Sequence, residues 1–234
     1  MSDGMMAETI TIKGHGGDDI EAYFARPTDG DRRPGVVVLH HMPGFDREMH
    51  EIARTFGVRG YAAVMPNLHH RYAPGAKPGD AAAAMREAGG VPDEQCLGDV
   101  QGAIDFLMAR PESNGKVGVI GYCSGGRQSL LVACNLAVDA AVDCYGGHSD
   151  LAWAPDLRCP LLGLFGTEDA APSPADVVAL EEALQASGKT YEFHSYDGAG
   201  HAFFSVDRPA YRLEAAKDGW KRIWAFYGQH LKDA

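Results

Sequence analysis

Residues Gly121-Tyr122-Cys123-Ser124-Gly125 set a cysteine midway between two glycines, with the apolar run 117–120 (VGVI) before it and a helical pattern after it. A nucleophile carried on a tight strand-to-helix turn needs this spacing. Glycines two residues to either side let the turn close without clashes, and the turn lifts the side chain clear of the sheet. A helix start also favours a thiolate through its dipole and leaves the Ser124 N–H free to face an oxyanion. The plainer alternative is a buried structural cysteine in a glycine-rich turn, because a free Cys often behaves as a small hydrophobe. A phosphate loop fits less well: the Lys and spacing of a P-loop are missing, and so is G-x-G-x-x-G.

Such an elbow demands an acid and then a histidine, each after a later strand. The segment CPLLGLFGTEDAAPS is a buried strand ending at Gly166, with Asp169 in the loop beyond it. YEFHSYDGAGHAFF is a strand ending near Tyr196, followed by a turn and His201. Glu168 competes with Asp169, and His194, inside the strand pattern, competes with His201. Order and context favour Cys123, Asp169 and His201 acting together.

The elements that must position these residues alternate along the chain. A hairpin is expected over 9–13 and 20–25, strands over 35–40, 61–65, 116–121, 140–144, 161–165 and 191–196, and helices over 46–58, 81–88, 95–109, 125–136, 175–186 and 210–231. Continuous apolar strands alternating with amphipathic helices specify an α/β fold, a mostly parallel twisted sheet with helices on both faces, and residues 1–234 read as one domain. Chemistry in such a sheet belongs at the carboxyl ends of the strands. Trp220, Trp224 and Tyr227, at helical spacing, read as core packing.

The 234 residues carry 21 Lys+Arg against 32 Asp+Glu, a net charge of −11, which argues against nucleic-acid binding and against an anionic membrane surface. The cysteines at 96, 123, 134, 144 and 159 form no CxxC pair, and no apolar run is long enough to span a bilayer. The start lacks a basic region followed by an apolar core, so a reduced, cytoplasmic setting is expected. His40, His41, His50, His69 and His70 gather near the first long strands, but no His-x₃-His or carboxylate-bearing ligand pattern accompanies them, so a metal site is not expected.

From GVVVLHHMPGFD through GYAAVMPNL, SNGKVGVIGYCSGG and CPLLGLFGTEDAAPS to AGHAFF, the chain resembles the dienelactone hydrolase family of the α/β-hydrolases. The resemblance covers nearly the whole length, and it implies hydrolysis of a lactone or ester with no metal or organic cofactor. It makes Cys123 the nucleophile, His201 the base and Asp169 its orienting acid, and it assigns the oxyanion hole to the amides of Ser124 and Met42. Arg71 matches the first of two arginines that hold a substrate carboxylate. The second falls at Ser205, with Arg208 three residues beyond as a possible substitute. His41 stands where the family has a Glu, and His41 and Tyr145 are expected to line the pocket. The expected partner is a small, anionic molecule, and the expected state a monomer or homodimer. A broad carboxylesterase or thioesterase of the same fold is the nearest alternative, and a non-catalytic ligand-binding relative the next.

Overall fold

A computed structural model describes residues 4–232, which carry eight strands, six helices and two short 3₁₀ turns. They divide into two compact units, one running up to Gly118 and one from Val119 to Lys232, with the boundary inside a strand.

In the first unit β1 (Met5–Lys13) and β2 (Asp19–Pro27) form an antiparallel hairpin in register from Met5 opposite Pro27 to Lys13 opposite Asp19. The hairpin runs well beyond its expected ends, because every residue of both strands finds a cross-strand partner. β3 (Arg33–Leu39) lies parallel to β4 (Ala62–Pro66), and β4 also pairs antiparallel with β2. All residues of β3 and β4 are buried, as expected of strands covered on both faces. The order is β1-β2-β4-β3, with β5 (Ser113–Tyr122) next. α1 (Arg47–Val58) is capped by Asp46, whose Oδ1 accepts from the Met49 N–H at 3.1 Å. α2 (Pro78–Glu87) starts three residues early because Pro78 serves as a helix-opening residue. α3 (Asp93–Met108) packs on β3 and β4.

The second unit holds the end of β5, then β6 (Ala140–Cys144), β7 (Leu161–Gly166) and β8 (Tyr191–Tyr196), parallel and in that order. α4 (Ser124–Asn135) packs on β6. α5 (Pro174–Ala186) opens with a capping box between Ser173 and Asp176. α6 (Leu213–His230) buries Ala216, Gly219, Ile223, Phe226 and Tyr227, and the Tyr227 hydroxyl donates to the Val119 carbonyl at 2.7 Å. Trp220 and Trp224 lie beside that buried stripe, half-buried and stacked at 5.0 Å, so of the three aromatics read as core only Tyr227 is fully enclosed.

Gly121 is where the fold leaves no room. A Cβ there would run into the Gly125 carbonyl and come within 2.7 Å of the Gly126 nitrogen, both backbone atoms that cannot move aside. Gly121→Ala should therefore cost about 2–4 kcal/mol of unfolding free energy, read by urea denaturation. A stability loss below about 0.5 kcal/mol would contradict this close approach.

Candidate active site

β5 ends at Tyr122 and α4 begins at Ser124, so Cys123 alone makes the turn. Its backbone is left-handed (φ 57, ψ −119), a conformation that costs a non-glycine residue about 1–3 kcal/mol and clusters at functional sites. The Cys123 N–H donates to the Cys144 carbonyl at 3.0 Å, and the Cys123 carbonyl accepts from Gly126 at 2.9 Å. Ser124 is the first residue of α4, so its N–H has no intrahelical acceptor.

Asp169 follows β7 and His201 follows β8. His201 Nδ1 lies 2.9 Å from Asp169 Oδ2, and Asp169 Oδ1 accepts from the Ala171 N–H at 2.9 Å. The Asp169 side chain is 1% exposed and the His201 side chain 39% exposed, so the acid is enclosed while the imidazole reaches solvent. The other side of the ring meets Cys123. A hydrogen bond with Cys123 is the largest cause raising the His201 pKa to about 9, ahead of the burial that opposes it; attraction to Cys123 and to Asp169 adds to the rise. The structure thus brings Cys123, His201 and Asp169 together.

The competing residues have other partners. His194 Nε2 lies 2.5 Å from Glu192 Oε1 and 2.9 Å from an Arg222 nitrogen, on an exposed part of β8. Glu168 is exposed. Among the cysteines, only Cys123 is not buried. Burial pushes the Cys134 thiol up to about 11 and the Cys159 thiol to about 12, and raises Cys144 well above the ordinary range.

Tyr145, also left-handed (φ 45), lays its ring against His201 at 5.2 Å and Phe203 at 5.4 Å. It therefore forms part of the wall around the imidazole. Phe203 and Phe204, 4.8 Å apart and tilted at 31°, extend that wall. The AGHAFF segment contained them, but aromatics in a loop gave no sign that they would be packed inward. Ser205 is buried, and Arg208 is exposed on the same loop.

The Arg71 guanidinium is engaged inside the protein. Nη1 and Nη2 form a bidentate pair with Asp99 at 2.8 and 2.9 Å, Nε donates to Asp18 Oδ2 at 2.9 Å, and Nη2 also reaches the His15 carbonyl at 3.3 Å. Asp99 is 0% exposed and also accepts from the His15 N–H at 2.8 Å. A buried carboxylate needs a paired cation, and Arg71 supplies it, tying the loop after β4 to α3 and to the β1–β2 turn. Asp99 was the readable warning, an acid one residue before Val100 on the apolar face of α3.

His41 is also committed. Its Nε2 lies 2.7 Å from Asp46 Oδ2. Burial alone would raise the Asp46 carboxyl, but His41 and the Met49 amide hold it below its ordinary value. Met42 follows in a turn, its side chain exposed. His40 braces the same segment, with Nδ1 2.9 Å from the His41 carbonyl and Nε2 accepting from the Leu68 N–H at 3.1 Å. Burial and the neighbouring His69 lower His40 to about 3, and burial lowers His69 to about 4, so both are neutral near pH 7. Among the described residues no group of three or more His, Cys, Asp or Glu is placed to hold a metal ion.

The family model described as "Dienelactone hydrolase family" matches residues 20–231. The chain belongs to the dienelactone hydrolase family. It is 33% identical to a Methylorubrum extorquens protein named "Putative carboxymethylenebutenolidase", over 98% of this chain and 83% of that one. It is 31% identical to the Pseudomonas putida carboxymethylenebutenolidase, over 91% of this chain and 92% of that one. The crystal structure of a "Putative Dienelactone Hydrolase" from Klebsiella pneumoniae superposes with a TM-score of 0.89 at 30% identity, covering 97% of this chain and 100% of that one. The α/β-hydrolase architecture and the enzyme class expected from sequence, a carboxylic-ester hydrolase, are those of this family. No helix among the described residues is long and apolar enough to cross a membrane.

Arg71→Met should lower stability by about 3–5 kcal/mol, the usual result of leaving one charge of a buried pair uncompensated. Adding Asp99→Asn should recover more than half of that loss in chemical denaturation. If Arg71→Met instead leaves stability intact and selectively raises KM for carboxylate-bearing substrates, Arg71 is a substrate ligand after all.

Proposed function

We propose that this protein hydrolyses a small lactone or ester through an acyl-enzyme on Cys123. The observation that carries the reading is His201, bridged between Asp169 at 2.9 Å and Cys123 and thereby raised to about 9. A histidine raised that far carries its proton at neutral pH, a charge that favours the thiolate form of a neighbouring cysteine.

The thiolate attacks the substrate carbonyl, forming a C–S bond and moving the carbonyl electrons onto oxygen. The Ser124 amide at the head of α4 receives that oxyanion. As the intermediate collapses, the ester C–O bond breaks and His201 gives its proton to the departing alkoxide. In a lactone that alcohol stays tethered within the acyl-enzyme. Water then attacks the thioester while His201 takes one of its protons, and breaking the C–S bond returns thiolate, imidazolium and a free carboxylic acid. Asp169 fixes the tautomer and orientation of His201 throughout.

The Arg71–Asp99 pairing favours the second reading, a carboxylesterase with no requirement for an anionic substrate. The feature on which a substrate carboxylate was expected is used inside the protein. A panel of small lactones, aryl esters and acyl thioesters, each with and without a free carboxylate, separates the two readings through kcat/KM.

Cys123→Ala should lower kcat by at least ~10³-fold on every productive substrate while leaving the fold intact. Wild-type rates in that variant would end the proposal and place the chemistry on another group.

The pH dependence has a defined sign. The His201 pKa is raised, so the stabilisation from its pairing is complete below the unfolded value near 6.5 and is lost as pH rises through about 9. Rapid alkylation of Cys123 by iodoacetamide at pH 7 should fall at least ~10-fold in His201→Asn. Equal rates would show that the imidazole does not activate the thiol.

A further inference from the structure

Asp143 is a carboxyl group that the proposed reaction does not use. It sits on β6 at 0% exposure, one residue before the Cys144 carbonyl that holds the Cys123 N–H. Its Oδ1 accepts from the Gly146 N–H at 2.7 Å, and its Oδ2 is buried with no hydrogen-bond partner. Burial pushes the carboxyl up to about 7, opposed by the Gly146 amide, and no cation among the described residues offsets it. A buried acid in these surroundings is neutral over most of the range below pH 7.

The turn that Asp143 holds touches each of the three reactive loops. Toward the elbow, a Cβ on Gly126 would meet Asp143 Oδ1 and approach Gly146 Cα to 2.8 Å. Toward the base, the turn starts with Tyr145, whose ring lies on His201 at 5.2 Å. Toward the acid, a Cβ on Gly147 would come within 2.9 Å of the Ala171 carbonyl, and Ala171 is the residue whose N–H Asp169 holds. Packing does not fix the turn on every side. Gly146 and His148 border a cavity of about 250 Å³, which Ser149, Phe165 and Ala171 also line. With that space beside it and left-handed backbone at both Tyr145 (φ 45) and His148 (φ 59), the turn relies on its tie to Asp143.

We propose that Asp143 is a positioning residue for the reaction: by holding the Gly146 amide, its buried carboxyl sets the Tyr145–His148 turn against which the Cys123 elbow, the His201 ring and the Asp169 loop are aligned. The proposal rests on the Cys123 mechanism above. Asp143 touches no reacting atom and acts through the turn.

Asp143→Leu keeps the branched outline at a larger volume and removes the acceptor, and Asp143→Asn keeps both the size and an oxygen for Gly146. In folded protein well below its Tm, Asp143→Leu should lower kcat for p-nitrophenyl acetate at least tenfold, with KM within threefold, and slow iodoacetamide alkylation of Cys123 at pH 7. Asp143→Asn should hold both within about threefold of wild type. A folded Leu variant with wild-type kcat and alkylation overturns the proposal; so does an Asn variant below a tenth of wild-type kcat, which keeps the test decisive if the Leu variant does not fold. Alkylation requires no turnover, so the role of Asp143 stays readable even if Cys123→Ala retains activity and the mechanism itself fails. Protonation is read separately. The unfolded carboxyl ionises near 3.8 while the buried one holds its proton to about 7, so wild type should lose Tm relative to Asp143→Asn as pH rises from 4 to 7. A constant difference across that window would show an ionised Asp143 and overturn the neutral-acid basis of the proposal.

Discussion

Cys123 holds a left-handed backbone that an L-residue adopts only under constraint, and much of the second unit supplies that constraint. The contact of Gly121 with the Gly125 carbonyl, the hydrogen bond to Cys144 and the return bond from Gly126 leave the turn one way to close. The strain of about 1–3 kcal/mol is offset by the burial of β5 and β6 on either side. In return the thiol stands at a helix head with its side chain toward His201.

The same economy governs the charges. Asp169 is enclosed and faces a single imidazole, so its field is spent on His201 rather than on solvent. Asp99 is enclosed and faces a single guanidinium. Asp143 is enclosed and faces only an amide. Three buried carboxyls therefore meet three environments, an imidazole, a guanidinium and a lone backbone amide, and the partner shapes the outcome in each case.

Much of the architecture and of the Cys123, Asp169 and His201 grouping was legible because each depends on local pattern. Continuous apolar runs mark buried strands, and the G-x-C-x-G turn must follow one of them. Asp169 and His201 were read from position after a strand, a topological rule, and they lie 2.9 Å apart in the structure. Partnership across sequence was not legible. Arg71 and Asp99 are 28 residues apart, and the acid on α3 signals a buried charge without saying which cation it will meet. Asp143 lay in plain view within the strand AAVDC, but a lone acid in an apolar run does not announce which amide it will hold. The Trp stripe was placed on the right helix, yet spacing alone could not separate its enclosed member, Tyr227, from the two half-buried indoles.

Those indoles carry an optical consequence. Trp220 and Trp224 lie nearly parallel, at 13° and 5.0 Å, close enough for their excited states to couple, and Trp220 meets the edge of Phe204 at 5.6 Å. Phe204 in turn lies in the aromatic wall with Tyr145, whose ring rests on His201. The near-ultraviolet circular dichroism of the indole pair is therefore a label-free reporter of how tightly that wall is packed. It distinguishes a local loosening around His201 from global unfolding, in which α6 itself leaves the sheet.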